Sequence, residues 1–218
     1  MDKPDLFDIV ILGGGRGSRF GGCDKGLLLL AGKPLIEHTI DRLRPTNNSL
    51  IISANRNLAF YQRYTSLVVS DSYGEYCGPL AGILAAQSHL RHEHTLIAPC
   101  DMPFLPVDIV HRLRPVLQAS KQQICCVAHN QGIEPLVCMI SNEVIGSLVT
   151  YLDSGQRSVL GWLKRQGFVT ADYATQSKEF VNINSATQLA EAEKVLDRHP
   201  PRSADSKDLF LAPGFQQK

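Results

Sequence analysis

The sequence predicts an α/β fold, a mostly parallel sheet with helices on both faces, three layers in all. Two observations carry this. Short apolar runs bounded by turn residues recur at Ile9–Leu12, Leu50–Ser53, Leu67–Ser70, Leu96–Ala98, Ile124–Ala128 and Val137–Ile140. They are continuous rather than alternating, which is the pattern of strands buried on both faces. Helical spacing separates most of them, and strand-helix alternation points to a parallel sheet.

Taken in order, the first strand, Ile9–Leu12, runs into a loop that packs six glycines between Gly13 and Lys25. Pro34–Leu43 begins on proline, which is preset for a first helical turn, and places Leu35, Ile36, Ile40 and Leu43 on one side. Gly82–Leu90 and Pro106–Leu113 also space their apolar residues by three and four. Pro115 is expected to end or kink the second of these, because its ring clashes with the preceding turn. Beyond Glu143 the pattern is helical through Val144–Leu152 and Ser158–Lys164. A short strand near Phe168–Ala171, the segment Phe180–Asn184 and a last helix from Ala186 to about Asp197 follow. One domain over residues 1–198 is expected. Residues 199–218 hold Pro200-Pro201 and a run of Ser, Asp, Lys and Gln without the period of a packed element, so a disordered tail is expected there.

The chain of 218 residues is 44% hydrophobic, and 22 basic against 21 acidic residues leave a net charge of +1. That balance argues against a protein that grips nucleic acid over a broad surface, so any anion site must be local. No signal-peptide pattern opens the chain and no apolar run reaches bilayer length, which makes a cytoplasmic enzyme without a membrane partner the simplest reading. The six cysteines form no C-x-x-C pair and read as reduced thiols. His92 and His94 flank Glu93, a pattern read as a solvated turn rather than a metal site.

The glycine-rich loop follows the first strand, where open α/β sheets bind ligands at their carboxyl ends. Its bare backbone lets N–H groups converge on an anion, and Arg16, Arg19 and Lys25 add charge, a combination suited to phosphate. Two familiar phosphate loops are excluded. A G-x-G-x-x-G fingerprint meets Ser18 or Phe20 at its third glycine, and Gly32-Lys33 is followed by Pro34 where a Walker A loop needs Ser or Thr. The first exclusion, with no hydride-transfer constellation in view, also removes an NAD-dependent oxidoreductase.

The loop does match a nucleotidyltransferase signature, approximately L-x-G-G-x-x-x-R-x-G-x-x-K, at Leu12, Gly14, Gly15, Arg19, Gly21 or Gly22, and Lys25. Asp24-Lys25-Gly26-Leu27-Leu28, Gly32-Lys33-Pro34-Leu35, Ala54-Asn55-Arg56, Asp71, Gly78-Pro79-Leu80-Ala81-Gly82, Pro99-Cys100-Asp101-Met102-Pro103 and Val181-Asn182-Ile183-Asn184 follow in that order. From residue 8 to 197 the chain resembles the molybdenum cofactor guanylyltransferase family. Four positions depart from the family pattern. Gly13 replaces alanine, Phe20 replaces methionine, Ser53 stands where an asparagine usually meets the nucleotide, and Glu134-Pro135 replaces His-Pro.

The resemblance implies a Rossmann-like three-layer sandwich of nucleotidyltransferase type and the joining of GTP to molybdopterin cofactor with release of pyrophosphate. It implies nucleotide contacts at Leu12, Gly13, Gly14, Gly15, Lys25, Ser53, Asp71, Gly78 and Asp101. Lys25 and Arg19 would offset charge on the phosphates. Asp101, emerging from the strand Leu96–Ala98 into the same crevice, is the candidate catalytic carboxylate and Mg2+ ligand. Asp71 would accept from ribose or guanine, since a carboxylate repels phosphate. Asn182 and Arg157 are the candidates for the cofactor substrate. Implied partners are GTP, molybdopterin, and molybdoenzyme chaperones or apoenzymes, with a monomer or weak oligomer. A cytidylyltransferase of the same cofactor, a sugar-phosphate nucleotidyltransferase and a non-enzymatic cofactor carrier are the alternatives.

Overall fold

The computed structural model describes residues 6–13, 22–43, 49–71, 73 and 78–198. Gly14, Gly15, Arg16, Arg19 and the tail from residue 199 lie outside the described residues. Within them a seven-stranded sheet is built from β1 (Asp8–Leu12), β4 (Ser49–Ser53), β5 (Val68–Val69), β6 (His94–Pro99), β7 (Ile124–His129), β8 (Gly132–Ser141) and β9 (Val169–Asp172). The order is β5-β4-β1-β6-β8-β7-β9. β1 pairs in parallel with β4 and β6, β4 with β5, and β7 with β9, so β8 alone runs against the rest. A two-residue hairpin, β2 (Leu29–Leu30) with β3 (Lys33–Pro34), stands apart.

Both faces of the sheet are covered. Successive strand side chains point to opposite faces, so β1 sends Ile9 and Ile11 one way and Val10 and Leu12 the other. The first face packs on α1 (Leu35–Leu43) through Ile36 and Leu43, and on α4 (Ile109–Gln118) through Ile109, Leu113 and Leu117. The second packs on α3 (Pro79–Ala86), α6 (Ser147–Asp153) and α7 (Val159–Gln166) through Leu80, Ile83, Leu148, Leu152, Trp162 and Leu163. The predicted three layers around a mostly parallel sheet are therefore present. α2 (Leu58–Tyr61) and α5 (Asn142–Ile145) are single turns, and α8 (Ala186–Arg198) packs Ala192 and Leu189 over Leu30, Leu35 and Ile183.

Pro115 does not end its helix. α4 continues to Gln118 because Leu113 and Leu117 are both buried against the sheet and Ala119 N–H returns to the Pro115 carbonyl at 3.0 Å. Tertiary packing outweighs the lost amide donor. β8 is longer than the apolar run Val137–Ile140, since its first half is exposed or half-buried and its apolar residues are interrupted by Glu134 and Pro135. Its pairing with β7 slips between Cys126 and Val127, and the skipped residues of β8 include Pro135, which has no N–H to give a ladder.

From β1 the chain moves through β4 to β5 on one side, then crosses back to β6 on the other. The loops after β1 and β6 thus part from each other, and the crevice between them is the position where such sheets hold ligands.

Candidate active site

The strand ends are tied together one residue beyond their ladders. Gly13 N–H donates to the Ser53 carbonyl at 2.8 Å and Cys100 N–H to the Leu12 carbonyl at 3.2 Å. Asp101 follows. Its turn is braced by the buried Thr39 hydroxyl on α1, within 3.3 and 3.4 Å of the Cys100 and Met102 carbonyls, and by Ile183 N–H, which donates to the Asp101 carbonyl at 2.9 Å. Burial, with the Asp101 carboxylate next in effect, pushes the Cys100 thiol well up.

Lys25 comes from the glycine-rich loop to the same point. It opens a single 3-10 turn, Lys25–Leu27, capped by Asp24, whose Oδ1 accepts from Gly26 N–H at 3.2 Å. Lys25 Nζ donates to Asp101 Oδ2 at 3.0 Å and to Asn184 Oδ1. The side chains are 24% and 11% exposed for Lys25 and Asp101, so the pair is partly desolvated and removing one partner leaves the other charge uncompensated.

Asp24 is itself enclosed, with 2% of its side chain exposed. The Tyr61 hydroxyl donates to its Oδ1 at 2.7 Å, Asn57 Nδ2 donates to its Oδ2 at 3.0 Å, and Arg56 Nε stands 3.8 Å from Oδ2. Arg56 also donates to the Gly22 and Cys23 carbonyls at 2.6 and 3.1 Å.

On the β4–β5 side, Asn55 and Asp71 bond reciprocally. Asn55 Nδ2 donates to Asp71 Oδ2 at 2.5 Å, and Asp71 N–H to Asn55 Oδ1 at 3.0 Å. Gly78 caps α3 with φ of 76°, a conformation that favours glycine, and Pro79 takes the first helical position. Ser53 is 5% exposed, and its hydroxyl faces the backbone of Gly82 on α3.

Beyond the crevice, Asn182 is half-buried, next to the buried Ile183. Arg157 is held at the end of α6, donating to the Leu152 and Gln156 carbonyls at 2.7 and 2.8 Å. Among the described residues neither hydrogen-bonds to Lys25 or Asp101. At the end of β7 the buried His129 ring stacks on Phe180 at 5.4 Å and its Nε2 lies 3.0 Å from Glu134 Oε1.

The family model for the MobA-like NTP transferase domain matches residues 9–167. The chain belongs to that family. Molybdenum cofactor guanylyltransferase of Shewanella sp. (strain W3-18-1) is 38% identical over 181 residues, covering 83% of this chain and 92% of the relative. The protein of that name from Shewanella piezotolerans is 33% identical over 189 residues, covering 87% and 93%. Among solved structures, molybdopterin-guanine dinucleotide biosynthesis protein A from Archaeoglobus fulgidus has a TM-score of 0.73 at 24% identity, covering 88% of this chain and 99% of that one. The 4-diphosphocytidyl-2C-methyl-D-erythritol synthase of Anaerococcus prevotii has the same fold at a TM-score of 0.67 and 12% identity. The family resemblance and the fold expected from the sequence are therefore both present, and the chain is a nucleotidyltransferase.

Five residues of this family member's site carry no role in the sequence reading: Asp24, Arg56, Asn57, Tyr61 and Asn184. Asp24, Arg56 and Asn184 sit inside the motifs quoted from the sequence, but nothing local signals their partners, 33 to 159 residues away.

Proposed function

We propose that this chain transfers GMP from GTP to molybdopterin cofactor, giving the guanine dinucleotide form of the cofactor and pyrophosphate. The observation that carries the reading is the Lys25 ammonium lodged between the Asp101 carboxylate and the Asn184 amide, at the carboxyl ends of β1 and β6. The names of the relatives supply the substrates.

In this reading the backbone of Leu12, Gly13, Gly14 and Gly15, with Arg19, cradles the triphosphate. Lys25 turns its ammonium from Asp101 to the phosphates and stabilises charge as the Pα–O bond to pyrophosphate breaks and the cofactor's terminal phosphate oxygen bonds to Pα. That oxygen is already an anion, so no base is needed. Asp71, oriented by Asn55, accepts from the guanine or ribose, and Gly78 lets backbone approach the base. Ser53 contributes through its carbonyl, which anchors Gly13. Asn182 and Arg157 face the cofactor.

Asp101 fits a magnesium ion. One carboxylate oxygen meets Lys25, the other takes no hydrogen bond among the described residues, and no cluster of three or more His, Cys, Asp or Glu side chains forms a cage there. A single carboxylate suits Mg2+, which keeps waters and shares its coordination with substrate phosphates. Bound there, Mg2+ would neutralise charge on the triphosphate. The reading extends to one domain over residues 1–198, a monomer or weak oligomer in the cytoplasm, and delivery of the product to molybdoenzyme chaperones or apoenzymes.

The test is pyrophosphate release with molybdopterin cofactor and Mg2+, comparing GTP, CTP and ATP. Release with GTP, reduced at least about 100-fold by Asp101→Ala, is expected, the order of loss seen when a charge-stabilising group is removed. Preference for CTP would reassign the base, and no release by folded protein would leave a carrier.

A further inference from the structure

We infer that Tyr61 is a positioning residue for Lys25, fixing the two ends of the glycine-rich loop against each other through one buried ring and its hydroxyl. The inference rests on the proposed role of Lys25. Tyr61 is fully buried at the end of α2 and belongs to no motif noticed in the sequence. Its ring lies where side chains at both loop ends would otherwise go. A β-carbon on Gly13 would come 3.2 Å from Tyr61 Cζ, and one on Gly26 would collide with the Tyr61 hydroxyl. Two glycines, one on each side of the loop, are thus matched to one aromatic ring.

The hydroxyl continues the same logic. It lies 3.2 Å from the Gly13 carbonyl and 2.7 Å from Asp24 Oδ1, the oxygen that also caps the turn carrying Lys25. Neighbouring Asn57 supports the other carboxylate oxygen from a left-handed conformation, φ 52°, a strained state that persists where surroundings demand it. Burial foremost, with the Asp24 contact adding to it, raises the phenol far above its ordinary pKa, so it stays a neutral donor. Lys25 Nζ therefore reaches Asp101 and Asn184 from a turn whose direction is set by Tyr61 through Asp24. A displacement of about 1 Å at such a group costs on the order of 100-fold in rate.

The experiment is a double-mutant cycle on Tyr61→Phe and Lys25→Ala, read on kcat and KM for GTP and, by calorimetry with Mg2+, on GTP affinity. Tyr61→Phe keeps the ring that fills the space and removes only the hydroxyl. It is expected to lower kcat about 10- to 100-fold in the wild-type background, while a thermal melt confirms that it folds. In the Lys25→Ala background it is expected to cost less than about 2-fold, because residues acting as a unit are non-additive. Asp24→Asn, which keeps an acceptor for Gly26 N–H but loses the charge, is expected to show the same dependence on Lys25. Equal losses in both backgrounds would reduce Tyr61 to a packing residue and overturn the inference, as would an unchanged kcat in Tyr61→Phe. If wild-type protein binds GTP but releases no pyrophosphate, the functional reading fails and the cycle is decided on affinity alone. A chain that does not bind GTP overturns both.

Discussion

Gly82→Ala sets two physical effects against each other at the contact of α3 with β4. Gly82 is helical, so alanine there gains about 1 kcal/mol of helix propensity. Its β-carbon, however, would sit 2.5 Å from the Ser53 hydroxyl oxygen, with Ser53 Cβ and Leu12 Cδ2 at 3.4 Å. The latter distances are ordinary contacts and the first is not. Ser53, Leu12 and Ile83 all lie in packed interior, so the clash is relieved only by moving the helix or the serine, at about 1–3 kcal/mol. The clash at least offsets the propensity, and a net loss of between zero and about 2 kcal/mol is expected from these two terms. In a thermal melt that is a fall of up to roughly 8 °C for a domain of this size. Ser53→Ala removes the offending oxygen, and the Ser53→Ala/Gly82→Ala double variant should return to wild-type stability or exceed it, a coupling of at least about 1 kcal/mol. Urea denaturation of the four proteins reads this directly. A loss in Gly82→Ala that persists undiminished beside Ser53→Ala, or a plain gain in Gly82→Ala alone, would refute the argument. Ser53→Ala alone answers a second question, because a hydroxyl turned to the helix leaves KM for GTP unchanged where one touching the nucleotide raises it.

Acid should weaken the hairpin side of the molecule through His38. Its Nε2 lies 2.9 Å from the Leu30 carbonyl, and burial, the largest cause, lowers its pKa below 6.5. The folded state then holds fewer protons than the unfolded chain, so stability is full above the unfolded pKa and is lost as pH falls through it. Melting temperature should drop between pH 7.5 and 5.5, and His38→Gln should flatten that drop. An identical slope in the variant would exclude His38 as the cause. Thiol titration tests the core. Cys23 is exposed, while Cys100, Cys125, Cys126 and Cys138 are buried, and burial first, then Cys126, raises Cys125 to about 12. In a Cys77→Ser background one thiol should react with an aromatic disulfide at pH 8 before denaturant is added and the other four only afterwards. Fast reaction of more than one would mean that Cys100 at the end of β6, or the thiols of β7 and β8, are open to solvent.

The sheet was legible because burial on both faces leaves an unbroken apolar run, as Ile9–Leu12 and Leu96–Ala98 show. Where that condition fails, legibility fails with it. The amino-terminal half of β8 is held by the hairpin and by the pair formed between Glu134 and His129, neither of which leaves an apolar signature. Hairpin β2–β3 has two residues per strand, too few to show any period. At the site, Lys25 and Asp101 stood out because a cation in a glycine-rich loop and a carboxylate at a strand end are each unusual locally. Tyr61 lies in no motif, and in the structure it is core. Its second role depends on two glycines and a carboxylate brought to it by folding, which no window of the sequence contains.

The same dependence explains why the last part of the chain belongs to the site although the family match ends at residue 167. The stretch from Phe180 to Asn184 crosses the carboxyl edge of the sheet and touches three places in turn. Phe180 stacks on His129 at the end of β7, Ile183 N–H bonds the Asp101 carbonyl at the end of β6, and Asn184 meets the Lys25 ammonium from the loop after β1. Ile183, fully buried with Leu30 and Leu35 under α8, anchors the middle of this strap. A half-buried ammonium with a single carboxylate partner would be free to rotate about that contact. The amide of Asn184 adds a second fixed acceptor, so the direction of Lys25 is set by two elements far apart in sequence, and α8 earns its place by holding one of them still.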